Sequence, residues 1–265
     1  MRITHWPIAL LLAAHFLPAA HAAPAAAAQH YVGLAYARDG GKLVYSEEHW
    51  VVRNRGAQQH IVLYRCPNGK PFARERLDGG IEDAAPDFEF EDSRSGYIEG
   101  VTGRGDERQV YVRSSLGAPR RTAQLPTPRN AVIDAGFDAY LRSHWKALGA
   151  GQDTEVAFLV PSRLKYLHLA IRTSDATYQG QPARRFKLSL NAWYGFVLPS
   201  IEVTYSIKER RLLRFEGIGN IHSDQGDTQQ VRIEFPANRR YGPPSALQID
   251  HAETEPLVSR CGIEK

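Results

Sequence analysis

The residues of this chain that could act as an acid or a base are concentrated at Glu47, Glu48 and His49. On a β-strand, Glu47 and His49 point to the same face, so the carboxylate could orient the imidazole for general-base catalysis. The sequence has no GxSxG nucleophile motif, and no second ligand stands at metal-binding spacing from this group. The pattern therefore favours a solvated strand over a catalytic pair, and we predict no catalytic residue and no enzyme activity.

Other groups with coordination chemistry give weaker patterns, and we predict no metal and no cofactor. Asp87, Glu89 and Glu91 alternate along one strand face and could bind Ca²⁺. The loop geometry of a dedicated calcium site is missing, so a charged outer face is favoured. The remaining candidates are His168 on a strand, His222 with Asp224 and Asp227 in a turn, and the RGD tripeptide within residues 103–106.

The charge of the chain does not select a partner. The formal net charge is +4 over 265 residues, and four arginine pairs lie at strand ends or in loops rather than in one block. Attraction to anionic lipid headgroups is one interpretation of these pairs, and solvated strand ends are the favoured one. No RNA-binding aromatic motif is present, so no nucleic-acid partner is predicted. The pairs are Arg120-Arg121, Arg184-Arg185, Arg210-Arg211 and Arg239-Arg240.

Two cysteines, Cys66 and Cys261, are the only ones in the chain. In an oxidising compartment they are expected to form a disulfide that ties the C-terminal tail to an early strand. The alternative is two buried free thiols. Zinc is not expected, since there is neither a CxxC nor an HxxxH spacing.

The strongest structural pattern covers residues 184–235, where apolar and polar residues alternate through four segments. Period two predicts strands with one buried face, here an antiparallel β-meander. Leu213 and Phe215 are both expected on that buried face. Gly217 and Gly219 lie within one strand and indicate either sheet curvature or a simple bulge.

The elements before this meander are also mainly strands. Turns at residues 39–41, 55–56, 67–71 and 178–182 separate them, and residues 116–130 form a proline-rich linker or crossover. One helix is predicted over residues 134–148, with Asp134 as N-cap and an apolar stripe that includes Phe137 and Trp145. The predicted fold class is therefore α+β, mainly β: a curved antiparallel sheet or incomplete β-barrel with one main helix on its concave side.

The first 22 residues have the layout of a secretory signal peptide: a basic start at Arg2, a short apolar run and a small-x-small end at Ala22. His15 and Pro18 interrupt the run, which is too short for a membrane anchor. We expect cleavage near Ala22 and a periplasmic protein with no transmembrane segment in the mature chain. A disordered leader is expected over 23–29, one β domain over 30–236, and an irregular, disulfide-tied tail over 237–265.

Three segments carry a resemblance to a known group of proteins. They are VIDAGFDAYLRSHW at residues 132–145, VPSRLKYLHLAIR at 160–172 and LPSIEVTYSIKERRLLRFEGIGNI at 198–221. Together with the signal segment and the meander, they resemble uncharacterised bacterial periplasmic proteins related in fold to the lipoprotein-localisation (outer-membrane lipoprotein carrier) superfamily. The resemblance spans roughly residues 30–235 and includes no catalytic or ligand motif. It implies an incomplete barrel with a helical lid, whose concave face binds acyl chains or other hydrophobic ligands.

These patterns together predict a binding protein rather than an enzyme. The loop 191–199 carries four large apolar side chains, which indicates either the rim of a hydrophobic groove or a loop folded under the helix. The expected ligand is a lipid or acyl chain held between sheet and helix. The alternative is an envelope structural or assembly protein that contacts other envelope proteins and has no small-molecule ligand. The candidate groove residues are Trp193, Tyr194, Phe196, Leu198, Ile201, Val203, Tyr205, Phe215, Phe137 and Trp145.

Overall fold

The computed structural model describes residues 28–38, 41–80, 83–103, 105–190, 200–223 and 227–262. The predicted signal peptide, most of the leader and the aromatic loop 191–199 lie outside the described residues. The helices are α1 (Gly136–Ser143), α2 (Trp145–Gly149) and α3 (Ala246–Thr254). The strands are β1 (Gln29–Ala37), β2 (Leu43–Asn54), β3 (Ala57–Arg65), β4 (Pro71–Gly80), β5 (Asp87–Asp92), β6 (Tyr97–Thr102), β7 (Arg108–Arg113), β8 (Arg121–Leu125), β9 (Ala131–Val132), β10 (Thr154–Val160), β11 (Lys165–Tyr178), β12 (Gln181–Leu190), β13 (Ile201–Ser206), β14 (Leu212–His222), β15 (Thr228–Glu234) and β16 (Arg240–Tyr241).

The strands of the described residues form one continuous curved sheet. Its order is β8-β7-β6-β5-β4-β3-β2-β1-β15-β14-β13-β12-β11-β10-β9, and β16 pairs with β1. Neighbours in the described sheet are antiparallel, with β9 and β10 the one parallel pair. The predicted fold class, mainly β with an open curved antiparallel sheet, is confirmed.

Tight turns set the register of the longest hairpins. Arg55 and Gly56 both have positive φ, 46° and 90°, and they connect the paired residues Asn54 and Ala57. Gln179 and Gly180 repeat this conformation between β11 and β12, with φ of 48° and 76°. Two consecutive left-handed residues make the turn whose twist matches that of the flanking strands.

The predicted meander is present as β12 to β15, with one correction to its faces. The register between β13 and β14 shifts by one residue at Leu213, which is the extra residue of a bulge. Leu213 consequently packs with Tyr178 and Ala183, apart from the inner face that holds Phe215. A second register shift between Ile218 and His222 contains Gly219, which supports a local bulge there, whereas Gly217 pairs regularly with Val231.

The predicted single helix is divided into two. His144 has φ −96° and ψ 12°, so α1 ends before it and α2 begins after it. Asp134 is not the N-cap, because α1 begins after Ala135 and Asp134 itself has φ of +45°. Tyr140, Leu141, Trp145 and Leu148 are buried against the inner face of β10 to β13.

The tail was predicted to be irregular, and this was wrong for its central part. Ser245 caps α3 in a capping box with Gln248. Ala252 of α3 is fully buried on the convex face of β2 and β3, against Trp50 and Ile61. The sequence did not reveal this helix because it buries so little apolar surface. The predicted disulfide between Cys66 and Cys261 is present.

The two halves of the strand order share one core. Its buried side chains include Val62 and Phe90 from the first half, and Leu159 and Ile233 from the second. The 3₁₀ turn that follows β10 also contacts β6 and β7, so the far ends of the sheet approach each other. This curvature leaves a cavity between the concave face and α1. None of the helices in the described ranges is long and apolar enough to cross a membrane.

Candidate functional site

A cavity of about 440 Å³ lies between the concave sheet face and α1. This volume falls within the range of protein sites for small organic molecules. Side chains of β1 to β4 line one wall, and side chains of β12 to β15 line another. Along β2 the lining residues are Glu47, His49, Val51 and Arg53, from the buried end towards the open end. At about 3.3 Å per residue this row spans roughly 20 Å.

Helix α1 is fixed at the cavity by its first turn. A Cβ on Gly136 would lie 2.2 Å from the carbonyl oxygen of Ala84, so only glycine allows this approach. The amide of Ile133 donates to the same carbonyl at 2.9 Å. Asp134 turns the chain at this point with a positive φ, which aspartate tolerates better than most residues.

The sequence-predicted groove residues separate into three groups. Ile201, Val203, Phe215 and Phe137 line the cavity. Tyr205 and Trp145 lie behind the lining and pack edge-on against Phe186, with ring centroids 5.8 Å and 5.4 Å away. Trp193, Tyr194, Phe196 and Leu198 lie outside the described residues.

Glu47 and His49 are not on a solvated face, so the interpretation favoured from the sequence was wrong. Each is only 8% exposed, and both face the cavity. The cause is that polar residues alternate on the concave face of β2, where the sequence pattern of a buried strand normally shows apolar ones. His49 Nδ1 lies 3.0 Å from His60 Nε2 on β3, and Tyr31 stacks on His49 at 4.5 Å.

The other imidazole nitrogen of His49 has no hydrogen-bond partner among the described residues. His49 Nε2 is buried, and the nearest carboxylate oxygen, Glu47 Oε2, lies 3.4 Å away. That separation exceeds the usual length of a hydrogen bond. A buried polar atom without a partner is costly, so a ligand that donates or accepts at this point would be stabilised.

A second polar network closes the inner end of the cavity. Tyr64 donates to Glu75 Oε2 at 2.6 Å. Asn220 donates to Asp134 Oδ2 at 2.7 Å and to Glu75 Oε2 at 3.3 Å. One amide group thus bridges a carboxyl of β4 and a carboxyl at the start of the helical segment, and it ties the two walls together.

Burial disfavours the charged form of each of these inner groups. Desolvation raises the pKa of Glu47 to about 8, and it raises the pKa of Glu75 and of Asp134 as well. The same desolvation lowers the pKa of His49 to about 3 and shifts the pKa of His60 well below its usual value. Acids become neutral and bases become neutral when water is removed from them. Desolvation thus favours the neutral form of these hydrogen-bonding groups.

The arrangement suits binding through hydrogen bonds and apolar contact. Among the described lining residues, Ser143 is the one aliphatic hydroxyl, and its Oγ donates to the carbonyl of Tyr140 at 2.9 Å. No serine or threonine nucleophile is thus placed beside a lining histidine in this part of the chain. Within the described ranges, no group of three or more His, Cys, Asp or Glu residues is placed to hold a metal ion.

The remaining predicted chemical groups have other partners. Asp87 pairs with Arg108 at 2.8 Å, and Glu91 pairs with Arg74 at 3.2 Å, so this strand face binds arginines. His168 contacts Glu155 at 2.9 Å on the surface. His222 packs on Tyr97 with ring centroids 4.8 Å apart.

Sequence reasoning missed Tyr64, Glu75, Asp134 and Asn220 as cavity residues. The available signal was periodicity: His60 and Tyr64 on β3 alternate in phase with Val62, as Glu75 on β4 does with Leu77. Polar residues in phase with buried ones indicate a polar wall inside a barrel. Comparison of the chain with protein-family models gives no match, and no curated protein matches it either.

Proposed function

We propose that this chain binds a hydrophobic small molecule, such as a lipid or an acyl chain, in the cavity between the sheet and α1. The observation that carries the proposal is the cavity itself, with apolar side chains on one wall and inner polar groups whose burial favours their neutral form. Transfer of apolar surface from water into such a space is favourable by about 25 cal/mol per Å².

The proposed compartment is the periplasm. The disulfide between Cys66 and Cys261 supports export, since such bonds persist in oxidising compartments. The proposed relation to the lipoprotein-localisation superfamily rests on the sequence resemblance of residues 132–145, 160–172 and 198–221. It implies a lipid or acyl chain as the ligand.

Filling the cavity should abolish binding without unfolding the protein. Ile218 lines the cavity and is partly exposed, so Ile218→Trp would place an indole in the ligand volume. We expect the affinity for the neutral fluorescent probe N-phenyl-naphthylamine to fall at least about tenfold, which corresponds to about 1.4 kcal/mol. Fluorescence titration of both proteins measures this change, and circular dichroism verifies that the variant is folded.

The matched control is Ile207→Trp. Ile207 is 37% exposed directly after β13 and is not a lining residue of the cavity. This variant should bind the probe as the unmodified protein does. Equal affinity in all three proteins would place the probe elsewhere and refute the proposed site.

A further inference from the structure

The open end of the cavity is lined by five arginines: Arg53, Arg142, Arg210, Arg211 and Arg240. Two of them have acidic partners, because Arg142 lies 3.7 Å from Asp138 and Arg211 pairs with Glu209. For the other three, the described residues supply no carboxylate within ion-pair distance. The mouth therefore carries an excess of positive charge.

Arg53 and Arg240 are oriented by neutral partners. Arg53 Nε donates to Gln58 Oε1 at 2.8 Å, and Arg240 Nη2 donates to Gln29 Oε1 at 3.1 Å. The Arg240 guanidinium also lies over the Tyr31 ring, 4.9 Å from its centroid. A guanidinium has five N–H donors, so each of these arginines keeps donors for a further acceptor.

Both charges act on Tyr31, which also lines the cavity. Tyr31 and Arg240 are cross-strand partners on β1 and β16, and Tyr31 also pairs with His49. Burial raises the pKa of Tyr31, and the charges of Arg240 and Arg53 oppose that shift. Burial also raises the pKa of Asp138 on α1, and the charges of Arg142 and Arg53 oppose it. Arg53, itself on β2, thus acts electrostatically on Tyr31 of β1 and on Asp138 of α1.

We propose that Arg53 and Arg240 bind the ionised acidic group, a carboxylate or a phosphate, of an amphiphile whose apolar part fills the cavity. This inference rests on the proposed function and adds its ligand class. Planar guanidinium forks match the geometry of carboxylate and phosphate oxygens, and their charge-assisted hydrogen bonds exceed neutral ones in strength. The interior would receive the apolar part, since an anionic group there would lose its hydration without a positive counter-charge.

The test compares three ligands of one chain length: dodecanoic acid, dodecyl phosphate and dodecanol. The affinity of each ligand is measured by its displacement of N-phenyl-naphthylamine from the full-length protein at neutral pH and low salt. We expect both acidic ligands to bind at least about tenfold more tightly than the alcohol. In the double variant Arg53→Met, Arg240→Met that advantage should disappear while the affinity for dodecanol stays within about twofold. Methionine keeps an apolar stem and removes the positive charge. The variant Arg53→Lys keeps the positive charge and should retain most of the preference for the acidic ligands.

The control variant is Arg172→Met, which removes an exposed arginine on β11 away from the cavity. It should preserve the preference for the acidic ligands. Equal affinity of the alcohol and the acids, or an equal loss in Arg172→Met, would overturn the headgroup site and leave the proposed function intact. Inorganic phosphate that binds as tightly as dodecyl phosphate in calorimetry would show a free-anion site and overturn the amphiphile. If dodecanoic acid, dodecyl phosphate and dodecanol all fail to bind, the proposed function would instead be refuted.

Discussion

Glutamine in place of Glu47 is expected to reduce the loss of stability that the protein suffers as the pH rises from about 5 to about 8. Burial raises the pKa of Glu47 from 4.5 to about 8, so the native state holds a proton that the unfolded chain has released. Each pH unit in this window lowers the free energy of unfolding by up to about 1.4 kcal/mol for this one group. The contribution is fully present below pH 4.5 and is lost as the pH passes through 8.

The variant should therefore match the unmodified protein at about pH 5 and exceed it by a few kcal/mol at about pH 8. His49 works in the opposite sense: its lowered pKa contributes stability that is present above 6.5 and lost as the pH falls towards 3. The Glu47 charge also acts on Tyr45, Glu75 and Asp134, which raises their pKa values further. Urea unfolding across the pH range measures the effect.

The control is Glu107→Gln, which changes an exposed carboxyl outside the cavity. Its unfolding free energy should follow that of the unmodified protein at every pH. If Glu47→Gln behaves in the same way, Glu47 is ionised in the native state, and the neutral form of this carboxyl in the cavity would be wrong.

Removal of the disulfide is expected to cause a large loss in the free energy of unfolding. Cys66 and Cys261 are 195 residues apart, and in the chain-entropy model a loop of this length contributes about 5 kcal/mol. The double variant Cys66→Ala, Cys261→Ala should lose stability of this order in urea unfolding. Reduction of the unmodified protein should produce the same loss, and reductant should leave the double variant unchanged.

Other contacts also hold the C-terminal tail on the sheet. In the double cysteine variant α3 should therefore stay in place although the protein is less stable. Arg65 bonds to Glu48 at 2.6 Å and to Glu255 at 2.8 Å, while the buried Arg74 donates to the carbonyls of Ala252 and Glu255. Hydrogen exchange in α3 should therefore remain slower than in an unfolded peptide. A loss of less than about 1 kcal/mol would show that these contacts, rather than the disulfide, fix the tail.

Much of the fold could be predicted because strands and tight turns depend on residues that are close together in the sequence. Alternation identified β12 to β15, and paired turn residues such as Arg55-Gly56 identified the hairpins. The faces within the meander were harder to predict. Leu213 shows regular alternation with Phe215, yet a bulge turns it to the opposite face, and a bulge depends on the partner strand.

The candidate site was less predictable because it is assembled by curvature. Glu75 on β4 meets Asp134 and Asn220 only after the sheet closes towards the helical segment. Asp134 resembles a helix N-cap in sequence, and its left-handed backbone instead aims the carboxyl into the cavity. The same ambiguity affects His49, since a polar residue in a strand is ordinarily solvated and its burial is a property of the whole sheet.

Native mass spectrometry of the protein, purified without detergent from the periplasm of a bacterial expression host, tests the central claim most directly. We expect a population whose mass exceeds that of the protein by one amphiphile, and its loss in Ile218→Trp but not in Ile207→Trp. An acidic lipid or fatty acid in the bound fraction would agree with Arg53 and Arg240 at the mouth. Only ligand-free protein, together with no uptake of N-phenyl-naphthylamine or dodecanoic acid, would contradict the account.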